Sequence, residues 1–345
     1  MAEIIIFGIA FGATYFGVAA FRRWSLQAGL LDVPNHRSSH DSPTPRGGGL
    51  VIVLICLLLY SYITVFLTHN FRWAYLAAAT LVALISWLDD LYSVPFVLRL
   101  FVHAVAAVIL IYGLGFWREI YIPGFNLTFQ VGSYGAVVAF VWVVWMVNAY
   151  NFMDGIDGLA GSQAILAGIS WVLFAYVSGY ESVYFYGGVL AFSSIGFLIH
   201  NWNPAKVFMG DVGSAFLGLT FATLPLMAGD EKPANTKFLL AVAVSFVWFF
   251  VFDTALTFVR RALRGQKVWA AHREHLYQKM IISGMSHGSV SLIYAVFTML
   301  VAVSFLIGVQ FGGNWEFLVL FSIVLLSSTL IFCNFGKAID LSDGK

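Results

Sequence analysis

The chain has 345 residues, of which 60% are hydrophobic and 10% are charged, and its mean hydropathy is +0.86. Soluble proteins carry about 25% charged residues, so this composition excludes a soluble domain and indicates an integral membrane protein. The net charge of +1 argues against a nucleic-acid partner. Both cysteines, Cys56 and Cys333, lie in apolar runs, which suggests neither a disulfide framework nor a thiolate metal site.

Apolar runs of about 16 to 22 residues are long enough to cross a bilayer as helices. The chain contains eleven such runs, so we expect an all-α polytopic membrane protein with a single domain over residues 1–345. The first run lacks a basic leader and ends at Arg22 and Arg23, so we interpret it as a retained helix. The predicted spans are roughly 3–21, 49–67, 72–88, 98–115, 133–149, 160–179, 183–200, 212–229, 237–258, 288–309 and 314–334.

Lysine and arginine are distributed unevenly between the two sides of these spans. Of the 18 basic residues, 14 lie in the connections that follow odd-numbered spans or in the C-terminal tail. Because basic residues concentrate on the cytoplasmic side, we predict that the N-terminus lies outside and the C-terminus in the cytoplasm. The longest outer connection, residues 116–132, contains a Pro-Gly turn and is predicted to form a small hairpin.

Five polar motifs fall in the predicted cytoplasmic connections. Transporters and channels instead place ionisable residues near the bilayer midplane, often in symmetric halves, and no internal repeat is evident in this sequence. The pattern therefore favours an enzyme whose active site lies on the cytoplasmic face; a non-catalytic lipid-binding or transport protein is the alternative. The motifs are LDVPNHRSSHDSPTPRGGGL (31–50), WLDDLYSVP (87–95), NAYNFMDGIDGLAG (148–161), HNWNPAKVFMGDVGS (200–214) and RRALRGQKVWAAHREHLYQKM (260–280).

The third motif, residues 148–161, concentrates oxygen-bearing side chains between two apolar runs. Asp154 and Asp157 offer carboxylate oxygens, and Asn148 and Asn151 offer amide oxygens. Mg²⁺ together with a phosphorylated substrate fits this set of hard ligands. The alternative is an interfacial turn in which Asp157 caps the next helix.

Acidic residues also occur in the second and fourth motifs. Asp89 and Asp90 end the third span, where a structural role, as caps or as a solvated pair, is by itself as good an interpretation as a functional one. Asp211 lies between Gly210 and Gly213 at the start of the eighth span, where free helix N–H groups attract phosphate and a carboxylate can hold its metal. An ordinary N-cap is the alternative for Asp211. Three acidic sites at one membrane surface exceed what capping requires, so we interpret them together as functional.

The first and last motifs supply basic groups. Arg37, His40 and Arg46 lie in a Pro- and Gly-rich loop that could hold a nucleotide phosphate or lipid headgroups. His272 and His275, three residues apart, would share a helix face and could contact a diphosphate, or they belong to a basic interfacial helix.

The sequence leaves the roles of two further residues, Phe208 and Asp253, open. Phe208 either faces lipid or stacks on a base. Asp253, inside the ninth span, either lines a groove or pairs with an arginine. We interpret His103, His200 and His287 as structural.

In order and spacing, the five motifs resemble the polyprenyl-phosphate N-acetylhexosamine-1-phosphate transferase superfamily, glycosyltransferase family 4. The resemblance covers most of the chain and implies transfer of a sugar-1-phosphate from a UDP-N-acetylhexosamine to undecaprenyl phosphate, with release of UMP. It also implies a requirement for Mg²⁺, with Mn²⁺ as a substitute, and a multi-pass location in the bacterial inner membrane. A homodimer is compatible with it.

The resemblance and the motifs together assign candidate roles. The sequence HREHLYQ departs from the adjacent histidines of many relatives and looks more like the O-antigen branch than the muramyl-pentapeptide branch, which implies GlcNAc, QuiNAc or FucNAc as the sugar. The candidates are Asn151 and Asp211 for metal binding, Asp89, Asp90, Asp154 and Asp157 for catalysis, and Arg46, Asn148, Asn201, Phe208, His272, Arg273 and His275 for substrate binding.

Overall fold

The structure, a computed structural model, describes residues 1–34, 42–123, 125, 127–268, 270, 272–311 and 315–340. Arg37 and His40 lie outside the described residues. The described part is mostly α-helical, with two short antiparallel strand pairs. The helices are α1 Ala2–Ala28, α2 Gly49–Tyr62, α3 Trp73–Tyr92, α4 Phe96–Leu114, α5 Gly135–Met153, α6 Leu159–Ser178, α7 Glu181–Asn201, α8 Gly210–Glu231, α9 Leu239–Phe246, α10 Trp248–Leu263, α11 Leu276–Ile282, α12 His287–Phe311 and α13 Trp315–Asp340.

Each predicted span falls on helical structure, which confirms an all-α multi-pass membrane protein. Within the described residues, nine helices are long and apolar enough to cross a membrane, and α9 with α10 would make a tenth. The count of eleven and the orientation stay predictions. The ninth predicted span falls on α9 and α10, which meet at a bend of 83° next to Val247. Hydrophobicity predicted that span, and hydrophobicity carries no information about helix direction.

Helix α8 forms the centre of the bundle and packs against α3 and α5. It is apolar on nearly all sides, and nearly all of its side chains from Gly210 to Ala228 are buried, as expected of a helix enclosed by others. Gly218 allows close contact with α5, because a Cβ there would lie 2.5 Å from the carbonyl oxygen of Met146. This packing brings the N-terminus of α8 next to the C-terminal ends of α3 and α5.

The two strand pairs lie in connections. β1 (Leu31–Asp32) pairs with β2 (Thr44–Pro45), directly before Arg46. β3 (Glu119–Ile122) and β4 (Leu127–Gln130) pair in antiparallel register from Glu119 opposite Gln130 to Ile122 opposite Leu127, which confirms the predicted hairpin.

The glycine residues that follow Arg46 allow α2 and α8 to pack closely. A Cβ on Gly49 would lie 2.5 Å from the Cα of Gly213, so the start of α2 can approach the start of α8 only without side chains at this point. The Phe208 N–H donates to the Pro45 carbonyl (2.8 Å), and the Gly48 N–H donates to the Phe208 carbonyl (2.9 Å). The loop therefore holds Arg46 beside the N-terminus of α8.

Candidate active site

The side chain of Asp90, at the end of α3, is fully buried against the first turn of α8. Its Oδ1 accepts the Asp211 N–H (2.9 Å) and its Oδ2 accepts the Val212 N–H (3.0 Å). Arg46 Nε lies 2.8 Å from the same Oδ1. Asp90 thus satisfies helix N–H groups that have no partner within the helix. The expectation that these groups are free for phosphate is wrong for residues 211 and 212.

Arg99, near the start of α4, links Asp89 to Asp211. Its Nη1 lies 3.0 Å from Asp211 Oδ2 and also contacts Asp89 Oδ2. Asp89 Oδ1 accepts the Val94 N–H (2.6 Å), which closes the turn between α3 and α4. Arg99 was not among the predicted site residues, although a charge in the otherwise apolar segment 96–114 was a usable signal.

Arg46 completes the charge cluster from the other side. Its Nη2 lies 2.9 Å from Asp211 Oδ1, so both oxygens of Asp211 contact guanidinium groups. Burial by itself would lower the pKa of Arg46, but the charges of Asp90 and Asp211 outweigh burial and raise it. Arg46 therefore remains a cation at every physiological pH.

The side chain of Asp211 does not cap α8, and it lies close to a residue of the third motif. The N-cap position of α8 is Met209, and no side chain caps it there. The Asn151 side chain lies within hydrogen-bonding reach of Asp211, and Asp89 is a second such neighbour. The structure therefore brings the two predicted metal ligands together.

Asp154 follows the end of α5 and faces the same cluster. Among the described residues, its carboxylate has no hydrogen-bond or ion-pair partner. Burial, and then the charges of Asp211 and Asp90, raise the pKa of Asp154 well above its ordinary value. A bound cation would offset this repulsion and favour the ionised form.

The donor set fits a hard divalent cation. Asp211, Asp154 and Asn151 supply the carboxylate and amide oxygens that Mg²⁺ prefers. Within the described part of the chain, no three His, Cys, Asp or Glu residues already surround one point. Arg46 and Arg99 contact the carboxylate oxygens that a cation would share, so the two guanidinium groups balance the charge of the acids.

Asp157 and Asn201 hold the connection between α7 and α8. Asp157 Oδ2 accepts the Ala205 N–H (3.0 Å), while Asn201 accepts the Gly158 N–H (3.1 Å) and donates to the Val207 carbonyl (2.9 Å). Both side chains therefore shape the segment that leads to Phe208. Their catalytic and substrate-binding roles stay predictions.

The alternative of Asp157 as a helix cap is wrong. Helix α6 has Gly158 at its N-cap position, with a φ of 79°, and no side chain caps it. His287, interpreted as structural, lies with its Nδ1 3.4 Å from Asp157 Oδ1. His200 likewise contacts backbone, with its Nε2 3.0 Å from the Tyr15 carbonyl oxygen.

The last motif folds into a loop and the short helix α11. The expectation of a shared helix face is wrong for His272, because α11 begins at Leu276; the rings of His272 and His275 nevertheless lie 5.0 Å apart. Burial, His275 and Arg261 lower the pKa of His272 to about 4. Arg273 lies in the same loop.

Asp253 does not pair with an arginine among the described residues. Its Oδ1 lies 3.2 Å from His275 Nδ1, and its Oδ2 accepts the Tyr294 hydroxyl (2.7 Å). The sequence offered no signal for this pairing, since α10, α11 and α12 meet only in the folded chain.

A pocket of about 290 Å³ opens beside these histidines. Its polar groups belong to Asn148, Thr254, Thr257, His272 and His275. The remaining walls are apolar and comprise Phe96, Leu100, Trp145, Ala149, Phe152, Phe258 and Val268. The pocket can therefore accept a ligand that is apolar at one end and anionic at the other.

The chain is similar to a known protein family and to individual proteins of known name. Residues 72–229 match the family model of glycosyl transferase family 4. A probable undecaprenyl-phosphate N-acetylglucosaminyl 1-phosphate transferase of Bacillus subtilis is 27% identical over 80% of this chain and 76% of its own length. A decaprenyl-phosphate N-acetylglucosaminephosphotransferase of Mycobacterium tuberculosis is 28% identical over 84% and 78%.

A third relative covers still more of the chain. An undecaprenyl-phosphate alpha-N-acetylglucosaminyl 1-phosphate transferase of Yersinia pestis is 27% identical over 94% of this chain and 90% of its own length. The matched region contains the ends of α3, α5 and α8, where the acidic cluster lies. Over most of its length the chain is therefore similar to polyprenyl-phosphate N-acetylglucosaminyl-1-phosphate transferases, and these matches support the polyprenyl-phosphate N-acetylhexosamine-1-phosphate transferase family and a phosphoglycosyl transferase activity.

Proposed function

We propose that the chain transfers N-acetylhexosamine-1-phosphate from a UDP-sugar to undecaprenyl phosphate, releases UMP, and starts a lipid-linked glycan such as O-antigen at the bacterial inner membrane. The observation that carries the proposal is the convergence of Asp89, Asp154 and Asp211 with Arg46 and Arg99. Such a cluster offers oxygen ligands for a cation and cationic donors for phosphate oxygens at one place.

The names of the relatives support N-acetylglucosamine as the first candidate for the donor sugar. The three described above act on N-acetylglucosamine according to their names. We therefore take UDP-GlcNAc as the first donor to test and keep the QuiNAc and FucNAc derivatives as the alternatives.

The pocket beside His272 and His275 suits the lipid acceptor. Its apolar walls, which include Trp145, Phe152 and Phe258, match the first isoprene units of a prenyl chain. Its polar side chains provide donors for the terminal phosphate. Asn148 and Asn151 lie nearly one turn apart on α5, so the pocket and the acidic cluster share this helix.

The reaction needs positioning and charge neutralisation more than covalent assistance. A phosphate monoester has a second pKa of about 6, so the acceptor is mostly a dianion at cytoplasmic pH. Its oxygen attacks the β-phosphorus of the UDP-sugar. A new P–O bond forms, the bond to the bridging oxygen breaks, and UMP leaves with the electron pair. The dianion has no proton for a base to remove.

The side chains of the cluster have different roles in this step. Asp211, Asn151 and Asp154 would hold Mg²⁺, which supplies charge neutralisation on the diphosphate when bound. Asp89 lies between Arg99 and the backbone, where it orients this arginine. A covalent phospho-aspartate route is the competing mechanism; exchange of labelled UMP into UDP-sugar without lipid would support it.

The test is UMP release by detergent-purified protein. Undecaprenyl phosphate, Mg²⁺ and a panel of UDP-N-acetylhexosamines are supplied together, and each is omitted in turn. We expect UMP that depends on lipid and on the cation, from UDP-GlcNAc first. Binding of the lipid without UMP from any donor, while a related enzyme is active in the same mixture, would favour the non-catalytic lipid-binding alternative.

A further inference from the structure

A cavity of about 440 Å³ opens at the end of the bundle opposite the acidic cluster. It lies between the end of α4, the start of β3 and the end of α8, and we call it the distal cavity. Its lining includes Asp230, whereas Asp211 belongs to the acidic cluster. The two residues lie near opposite ends of α8, a helix of 22 residues that is about 33 Å long. The distal cavity is therefore separate from the candidate active site.

Four charged side chains line the distal cavity: Arg118, Glu119, Asp230 and Lys237. Asp230 is compensated by Arg72, whose Nε lies 2.7 Å from its Oδ2. Within the described part of the chain, the other three form no ion pair, either with each other or with another residue. Two cations and one carboxylate in the same cavity are thus left for a ligand that carries charges of both signs.

The segments that carry the two cations are held in place. The Lys237 carbonyl accepts the Tyr121 N–H of β3 (3.2 Å). The Arg118 guanidinium carbon lies 5.6 Å from the centre of the Phe116 ring, and Lys237 Nζ lies 4.7 Å from the centre of the Phe238 ring. A cation over an aromatic face is positioned by the ring and still has N–H groups for an anion. The cations of the distal cavity are therefore preorganised.

An apolar groove of about 690 Å³ continues from the distal cavity between α4 and α5, and we call it the α4–α5 groove. The cavity and the groove share Gly115 and Phe116 in their linings. Tyr112 and Tyr134 are 84% and 79% exposed near this end of α4 and α5, as is typical of aromatic residues at a membrane interface. The other residues that line the groove are Val108, Ile111, Tyr112, Ala136, Val137 and Phe140.

A charged cavity that opens onto an apolar groove fits an amphipathic ligand. Arg118 and Lys237 match the free oxygens of a phosphodiester, because both cations donate hydrogen bonds and a phosphodiester only accepts them. The Glu119 carboxylate matches an ammonium group on the same ligand. A phosphoglycerol headgroup would satisfy the two cations but has no positive charge for Glu119.

We propose that the distal cavity binds the phosphoethanolamine headgroup of a zwitterionic phospholipid, with an acyl chain in the α4–α5 groove. The phosphate contacts Arg118 and Lys237, and the ammonium group contacts Glu119. The inference does not depend on the proposed function, because it involves no residue of the acidic cluster or of the pocket beside His272 and His275.

Native mass spectrometry of the detergent-purified protein tests the choice of lipid. The wild type is titrated with phosphatidylethanolamine, phosphatidylcholine and phosphatidylglycerol that carry the same acyl chains. We expect phosphatidylethanolamine to bind about fivefold more tightly than phosphatidylglycerol, the effect of one partly exposed ion pair. Phosphatidylcholine should also bind more weakly, because its methylated ammonium group has no N–H to donate to Glu119. Equal affinity for all three lipids, or a preference for phosphatidylglycerol, would overturn the proposal.

Substitutions at the three unpaired charges test the contacts, and their side chains are exposed or partly exposed, so the variants should fold. Glu119→Gln should abolish the preference for phosphatidylethanolamine over phosphatidylglycerol. Arg118→Gln and Lys237→Gln should each weaken the binding of both lipids about fivefold. Glu3→Gln and Arg23→Gln are the matched controls at charges outside the cavity, and they should change neither affinity. An unchanged preference in Glu119→Gln, or equal effects in the controls, would contradict the assignment.

Two further measurements test the groove. Ala136→Trp places an indole ring in the groove and should weaken phosphatidylethanolamine binding while the preference over phosphatidylglycerol remains. Soluble glycerophosphoethanolamine has the same headgroup but no acyl chain, so it should not displace the lipid at equal concentration. Displacement by this compound would indicate a site for a free phosphate ester and would overturn the lipid assignment, as would full binding by Ala136→Trp.

The outcome is distinguishable from that of the proposed function. Lipid binding is measured without UDP-sugar, and UMP release is measured without variation of the distal cavity. If a variant does not fold, the lipid panel on the wild type decides, because the preference for phosphatidylethanolamine needs no substitution.

Discussion

Asp89 and Asp90 are adjacent in sequence, but their carboxylates have different partners: Asp90 receives the first N–H groups of α8, and Asp89 contacts Arg99. The buried Asp90 joins α3 to α8, whereas Asp89 belongs to the charged cluster, where it shares Arg99 with Asp211. The two acids are therefore separable by experiment.

Asp90→Ala should destabilise the fold. It removes a fully buried carboxylate and leaves two helix N–H groups and Arg46 without their partner, at a cost of about 2 to 3 kcal/mol. Thermal unfolding in detergent measures this loss. The matched control is Glu3→Ala, whose side chain is exposed where it pairs with the N-terminal ammonium group, and which should leave the unfolding temperature unchanged. Equal unfolding temperatures for the two variants would contradict the assignment.

Asp211→Asn should reduce the rate without unfolding the protein. We expect roughly a 10²-fold loss, the usual size for removing a positioned group that acts on transition-state charge. Initial rates of UMP release across a Mg²⁺ titration measure it, with Asp230→Asn as the control at a distant acid. Near-normal turnover of Asp211→Asn at limiting Mg²⁺ would be incompatible with a metal-binding role.

Arg99→Gln should strengthen cation binding. Arg99 contacts Asp89 and Asp211, and its removal leaves two neighbouring carboxylates without a compensating charge. Because a partly exposed pair contributes up to about 1 kcal/mol, we expect the affinity for a divalent cation to rise about fivefold. Binding of Mn²⁺, followed by electron paramagnetic resonance, measures it. Unchanged or weaker binding would show that the cation does not share these oxygens.

His272 should lower the free energy of unfolding as the pH becomes mildly acidic. Burial, His275 and Arg261 lower its pKa from 6.5 to about 4. As pH falls between these values, the unfolded chain takes up a proton that the folded chain does not, so stability is lost in this window and is fully present above it. The unfolding temperature of His272→Gln should fall less steeply than that of the wild type between pH 7 and 4. Parallel curves would mean that His272 does not contribute.

Local sequence patterns were sufficient for much of this protein. Apolar runs determined the helices, a Pro-Gly turn predicted the β3–β4 hairpin, and five spaced motifs indicated the family. These features depend on residues that are close in sequence, and hydrophobicity and turn propensity act over that range.

Only the tertiary structure decided which charges meet. Asp90 contacts the backbone of Asp211 across 121 residues, and His275 contacts Asp253 across 22. Such contacts depend on how helices pack, which in turn depends on close approaches such as that of Gly49 to Gly213. A composition or a motif cannot specify them, because the energy of a buried charge is set by the partners that the fold brings to it.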